Sequence, residues 1–193
     1  TGLQALIYAN RDEAKPLSGW VYVPQLERTQ SLASFQNEDS MFGSDILPTD
    51  FISFSGSLAD SRWNYLGTTY LLLPVYEHNS LTSSGRESTK RDYRHVKFEG
   101  KASCFPGVSW QVRRVYILEG EQIDSGKKVQ KRIFYLDAQT HVPMIWKIYG
   151  QNNKLWKIVI SAYSSPESHI KDNANTFAPI ATAFSTIDLQ TNR

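Results

Sequence analysis

Apolar residues along this chain alternate with polar ones more often than they recur at every third or fourth position. A period of two marks strands rather than amphipathic helices. Short runs rich in Val, Ile, Tyr, Phe and Trp, punctuated by Gly, Pro and Asn, predict strands over residues 3–9, 20–23, 28–32, 63–73, 108–119, 129–137, 143–149 and 155–163. The connections are mostly too short for crossover helices, which points to an antiparallel meander rather than βαβ units.

Two hairpins follow from turn chemistry. Asp137, Ala138, Gln139 and Thr140 link two strands, with Asp137 placed to accept backbone hydrogen bonds at the first turn position. Gln151, Asn152 and Asn153 form the next loop, closed by a pair between Gly150 and Lys154, and Asn153 suits the left-handed conformation such a loop needs. That register sets Met144, Trp146 and Ile148 opposite Ile160, Ile158 and Trp156 on one face, with Lys147, Tyr149 and Lys157 on the other. Other strands are apolar on both faces: Val115 and Ile117 lie opposite in orientation to Tyr116 and Leu118, and Tyr65, Leu71 and Leu73 share a strand with Leu66, Tyr70 and Leu72. A two-sided apolar strand in an antiparallel sheet needs a second cover: a helix, another sheet or a ligand. The one predicted helix, over 48–54 with Pro48 in its first turn and Phe51, Ile52 and Phe54 on its buried side, is too small to cover a broad sheet. Residues 77–107 read as a long loop and 164–193 as a polar C-terminal extension whose apolar patch, 177–184, suits a last edge strand.

Composition narrows the function classes. At 193 residues the chain suits one domain, and 40% hydrophobic with 12% aromatic residues excludes intrinsic disorder. A net charge of +2 lacks the excess that drives nucleic-acid binding, so no nucleic-acid partner is expected. The longest apolar run, near Tyr70, is broken by Pro74, well short of a membrane-spanning helix. The single Cys104 excludes an intramolecular disulfide and a multi-cysteine zinc site, and His78, His95, His141 and His169 lack metal-ligand spacing. No metal or cofactor is expected. Cys104 with His95 and Asp92 has the residue types of a nucleophile, base and orienting acid, but without an oxyanion loop the pairing reads as chance, and no catalytic residue is assigned. Lys127, Lys128, Lys131 and Arg132 form a basic cluster that reads as a solvated face, with peripheral contact to an acidic headgroup left open.

Several stretches resemble a known family. Trp20-Val21-Tyr22-Val23-Pro24-Gln25-Leu26-Glu27-Arg28 is similar to the opening strand and turn of the proteobacterial domain of unknown function 1329, which is related to the LolA and LolB lipoprotein carriers. Met41-Phe42-Gly43-Ser44-Asp45, Trp63-Asn64-Tyr65-Leu66-Gly67, the run from Arg113 to Gly120, the run from Lys131 to Thr140, Lys154-Leu155-Trp156-Lys157 and the ending from Phe184 to Arg193 continue the resemblance. These are strand patterns, and none is catalytic. The hairpin departs from the family's Tyr-Asp-Arg-x-Gly, with Gly150 and Asn153 where Asp and Gly are expected.

The resemblance implies a mainly β fold: a curved antiparallel sheet forming an unclosed LolA/LolB-like barrel with one or more short plugging helices. Residues 1–193 would be a single LolA-like domain lacking the family's N-terminal strands. It also implies a non-enzymatic protein of the periplasm, with outer-membrane association left open. Its role would be to carry or bind a lipid, a lipoprotein acyl chain or another hydrophobic molecule alongside an efflux-type transporter of the resistance-nodulation-division class. Phe54, Trp63, Trp146 and Trp156 are the expected ligand-binding residues, with ordinary core packing as the competing reading. The rival function is an interaction module that docks on an envelope transporter or outer-membrane assembly without cargo.

Overall fold

The computed structural model describes residues 4–8, 11, 18–31, 44–50, 54–76, 96–164 and 179–191. Within them the strands are β1 (Gln4–Tyr8), β2 (Ser18–Val23), β3 (Arg28–Ser31), β4 (Ser61–Leu73), β5 (Val75–Tyr76), β6 (Phe98–Glu99), β7 (Phe105–Pro106), β8 (Gln111–Gln122), β9 (Lys131–Asp137), β10 (Pro143–Tyr149), β11 (Leu155–Ser164) and β12 (Ile180–Asp188). Helical structure among these residues is limited to short 3-10 turns. The fold is mainly β, as the alternation requires. The main sheet runs β12-β11-β10-β9-β8-β4, antiparallel throughout, with β5 added in parallel beside the end of β11. β12 is the expected last edge strand, although it starts later than the apolar patch that predicted it. Two smaller sheets, β1-β2-β3 and β6-β7, complete the strands.

The predicted turns form for the reasons anticipated. Asp137 accepts from the Thr140 amide at 3.0 Å and the Thr140 hydroxyl at 2.8 Å. The Gly150 amide donates to the Lys154 carbonyl at 2.9 Å, and Asn152 and Asn153 both take left-handed φ, 59° and 55°. The predicted register of the following strands is overturned by a bulge. Ile148 pairs with Lys157 but Tyr149 pairs with Leu155, so Trp156 is an extra residue and every later partner shifts by one: Trp146 faces Val159, not Ile158. A bulge directs two successive side chains toward one side. Here both reach the same carboxylate, the Trp156 indole N–H at 3.0 Å and Lys157 Nζ at 2.6 Å from Asp188 Oδ2. Lys157 is therefore buried, not on the polar face as predicted.

Further register shifts occur at Tyr65/Gly67, Pro143/Ile145 and Ala162/Tyr163. Bulges bend strands and increase twist, and four of them across the six strands β4 and β8–β12 curve the sheet without closing it. The curved sheet carries apolar clusters on both faces, as the two-sided strands demanded. On one face Phe134, Trp146, Ile148 and Val159 pack with Leu47 and Val129, and Phe54, Trp63 and Trp156 flank them. The other face holds Leu73, Val115, Met144 and Tyr163, extended by Tyr76, Val96 and Ala162.

Other expectations change in detail. Of the helix expected over 48–54, the described residues show one 3-10 turn, Pro48–Asp50, and residues 51–53 lie outside them. Of the loop 77–107, residues 77–95 lie outside them; the remainder includes the β6-β7 hairpin, which meets β12 where Ser185 Oγ donates to the Cys104 carbonyl at 2.6 Å. Asp92 and His95, the expected companions of Cys104, fall in the undescribed part, as do residues 165–178 of the C-terminal extension. The basic cluster is divided rather than uniformly solvated. Lys127 pairs with Asp60, Lys131 with Glu119, and Arg132 is buried on the plugged face.

Candidate hydrophobic binding site

Strand parity assembles one continuous face. Across the sheet, Leu118, Phe134, Trp146, Val159 and Thr186 are successive cross-strand partners, and Trp63, Gly120, Arg132, Ile148, Lys157 and Asp188 form the adjacent row. Aromatic rings line this face, edge to face around Phe54 and tilted around Phe134. Phe54 lies 5.9 Å from Trp63 and 5.4 Å from Phe134, and Phe134 lies 5.8 Å from Trp63 and 6.2 Å from Trp146, centroid to centroid. Such spacings suit the favourable quadrupole arrangements of aromatic pairs. Trp63 is fixed by its indole N–H, which donates to the Leu58 carbonyl at 2.8 Å, and its ring lies over Gly120, where an added Cβ would sit 2.8 Å from it. Glycine is required at 120 for this close approach.

The face is plugged at one end by the segment 44–50. Leu47 is inserted into the core, and Asp50 is buried beside it. The Arg132 guanidinium grips the Asp50 carboxylate with two bonds, Nε to Oδ1 at 3.0 Å and Nη2 to Oδ2 at 2.7 Å. The Trp146 indole N–H donates to Oδ1 at 2.8 Å and the Thr49 hydroxyl to Oδ2 at 3.1 Å. Phe54 covers the guanidinium, 5.2 Å from its ring centroid. A buried pair is tolerated only when hydrogen bonds satisfy both ions in this way.

The other end of the same face is open. Tyr65, Tyr70, Leu72 and Val112 are 60%, 67%, 57% and 69% exposed. Tyr116 lies among them, edge-on to Tyr65 at 6.2 Å, stacked on His141 at 6.0 Å and beneath Arg114 at 5.7 Å. A shallow depression of about 380 Å³ borders this end, lined by Val112, Arg113, Arg114, Asp137, Ala138 and Gln139. Burial disfavours the Asp137 carboxylate, but the Arg113 fork and the Thr140 bonds outweigh it and hold the group below its ordinary range. Two buried hydroxyls, Ser161 and Thr186, lie on the plugged face with no hydrogen-bond partner among the described residues.

Of the sequence-predicted residues, Phe54, Trp63 and Trp146 converge, joined by Phe134, which the sequence reading omitted. Trp146 is fully buried. Trp156 packs at the far edge of the same core with its polar end turned to Asp188. Arg132 and Asp50 were also missed. The parity of Lys131-Arg132-Ile133-Phe134 places Arg132 beside Phe134 and could have found it; nothing local marks Asp50. No group of His, Cys, Asp and Glu that could hold a metal ion occurs among the described residues, and no helix there is long and apolar enough to cross a membrane.

The described strands thus form an unclosed, curved antiparallel sheet with one apolar face plugged by the segment 44–50. The chain belongs to the DUF1329 family of proteins of unknown function, whose family model matches residues 1–193. Its fold is similar to that of a domain from Vibrio parahaemolyticus described as an outer membrane lipoprotein-sorting protein, at 19% identity and a TM-score of 0.59 over 100% of this chain. The chain spans 60% of that domain's length. A DUF1329 family protein from Desulfovibrio piger is 15% identical, with a TM-score of 0.49 over 82% of this chain and 50% of that one. A LolA superfamily protein from Nitrosomonas europaea is 13% identical, with a TM-score of 0.42 over 89% of this chain and 55% of that one. No curated protein matches the chain.

Proposed function

We propose that the chain is a non-enzymatic periplasmic carrier or binding domain for a lipid, a lipoprotein acyl chain or another hydrophobic molecule. One observation carries this reading: a single face joins a buried, self-plugged end, apolar apart from the paired charges of Arg132, Asp50, Lys157 and Asp188, to an end where Tyr65, Tyr70, Leu72 and Val112 stand in solvent. Soluble monomers rarely leave such a patch uncovered without a use for it. Phe54, Trp63, Trp146 and Trp156 would form the lining on the plugged side. Because Leu47 and Phe54 already fill that side, cargo enters by displacing them and is first met at the open end. Binding needs apolar area and shape rather than a nucleophile, which fits a site built from aromatic and aliphatic side chains. The fold similarity to the Vibrio lipoprotein-sorting domain supports the cargo class, and the transporter partner of the resistance-nodulation-division class rests on the family association alone.

Native mass spectrometry after gentle purification, with lipid analysis of a solvent extract, tests the carrier reading. Bound or exchangeable lipid is expected; a protein that neither retains nor takes up any lipid refutes it. A second reading, docking on an envelope assembly, is favoured by the β1-β2 face, where Leu6, Tyr8 and Trp20 are 53%, 55% and 44% exposed. Replacing those three by Ser would abolish capture of the envelope partner and leave lipid uptake intact.

A further inference from the structure

The buried guanidinium of Arg132 is unexplained by packing. It projects from a central strand into a face that also holds Leu118, Phe134, Trp146, Ile148 and Val159 and, toward its far edge, the paired Lys157 and Asp188, and an aliphatic side chain of similar size there would fill the space without desolvating a charge. What Arg132 does have is a carboxylate receptor. Its Nε and Nη2 and the Trp146 indole N–H converge on one carboxylate, and all three donors stand on adjacent strands of the sheet, while the carboxylate comes from the plugging turn. A planar fork with two parallel bonds matches a carboxylate in shape as well as charge. Three residues before that carboxylate, Leu47 lies among Ile148, Val159 and Val129. Leu47 and Asp50 therefore place an aliphatic group in the core and an anionic head on Arg132, an arrangement shared with a short anionic amphiphile.

We propose that the ligand class of this face is a single-chain amphiphile with a carboxylate head, and that Leu47 and Asp50 are the chain's own stand-in for it. The proposal rests on the carrier reading and names its cargo chemistry. The incoming carboxylate takes the Arg132 fork and the Trp146 N–H as Asp50 leaves, so the guanidinium is never buried without an anion. The alkyl tail replaces Leu47 among Val129, Ile148 and Val159. Exchange of one carboxylate for another conserves the charge inside the face.

The test is titration of the full chain with decanoate, decan-1-ol and acetate, followed by tryptophan fluorescence. Decanoate is expected to bind at least tenfold more tightly than decan-1-ol, and acetate, which has the head without the tail, to show no saturable binding. Asp50→Asn removes the competing charge and should tighten decanoate at least tenfold while changing decan-1-ol less than threefold. Asp50→Asn combined with Arg132→Met should make acid and alcohol bind alike. Equal binding of decanoate and decan-1-ol by the unaltered chain overturns the anionic-head proposal and leaves the carrier reading standing. Absence of binding by both, with no lipid in the solvent extract, overturns the two together. The comparison on the unaltered chain needs no variant to fold.

Discussion

Asp188→Asn probes the bulge that turns Trp156 and Lys157 inward. In the native protein Asp188 is 3% exposed and accepts Lys157 Nζ at 2.6 Å and Trp156 Nε1 at 3.0 Å on one oxygen. The Gln190 and Thr191 amides bond the other, at 2.8 and 3.0 Å. Removing one partner of a buried ion pair costs about 3–5 kcal/mol, because the remaining charge stays desolvated. Asn keeps the acceptor for the two amides, and Asp45 Oδ1 lies 3.9 Å from Lys157 Nζ, so we expect about 2 kcal/mol at neutral pH. The pH dependence is a sharper signature. Burial pushes the Asp188 carboxyl up, but the bonds from Lys157, Thr191 and Gln190 win and lower it from 3.8 to about 2. A carboxylate lowered in the folded state contributes its stabilisation fully above about pH 4 and loses it as pH falls through about 2. With allowance for solvent screening at an edge strand, that contribution is about 1–2 kcal/mol. Urea unfolding followed by tryptophan emission at pH 6 and pH 2 measures both. The variant should start weaker at pH 6 and lose about 1–2 kcal/mol less than the native protein on acidification. Parallel losses, or a neutral-pH cost below about 0.5 kcal/mol, would refute the role given to Asp188.

Three further outcomes are expected. Gly120→Ala forces a Cβ to within 2.8 Å of the Trp63 ring, which should cost about 1–3 kcal/mol and shift tryptophan emission to the red; an unchanged melting temperature and spectrum would deny the close approach. Asp137→Ala removes the two-bond partner of Arg113, at 2.8 and 2.7 Å, together with the Thr140 turn bonds. The expected cost is about 2–3 kcal/mol, and because this carboxyl is held low in the fold, the gap to the native protein should narrow as pH falls below about 4. Equal gaps at pH 6 and pH 2 would contradict that. Tyr70→Ser with Leu72→Ser, at positions 67% and 57% exposed, should leave stability within about 0.5 kcal/mol while lowering lipid retention several-fold, and undiminished retention would remove the open end from the site.

Much of the sheet was legible because its signals are local. Alternation in Lys131–Asp137 and Pro143–Tyr149 is a period-two pattern, and Asp137 and Asn153 carry their turns by chemistry within a few residues. The register after Trp156 was not legible, since the extra residue is stabilised by Asp188, 32 positions away. The plug escaped for the same reason: Pro48 announces a turn, but Asp50 is drawn inward by Arg132 across 82 residues. Arg132 itself was misread because three neighbouring lysines made a solvated cluster the simplest reading, although its parity with Phe134 put it on the apolar face. Phe54, Trp63, Trp146 and Trp156 stand out in the sequence by their hydrophobicity, whereas Phe134 was passed over, and Arg132 and Asp50 were missed because their place on this face comes from tertiary pairing.

The plug is covalently joined to the face it fills, and this changes the terms of competition. A tethered group acts at a fixed effective concentration, on the order of millimolar for a short flexible connection, whatever the dilution of the protein. A free amphiphile must outcompete Leu47 and Asp50 at that concentration, which sets a threshold against weak or fragmentary ligands. The same tether speeds discharge, since the returning segment needs no diffusional encounter. On the proposed reading, cargo transfer is thus a replacement reaction at constant occupancy: Phe134, Trp146 and Val159 pass from one apolar neighbour to another and do not meet bulk water between them.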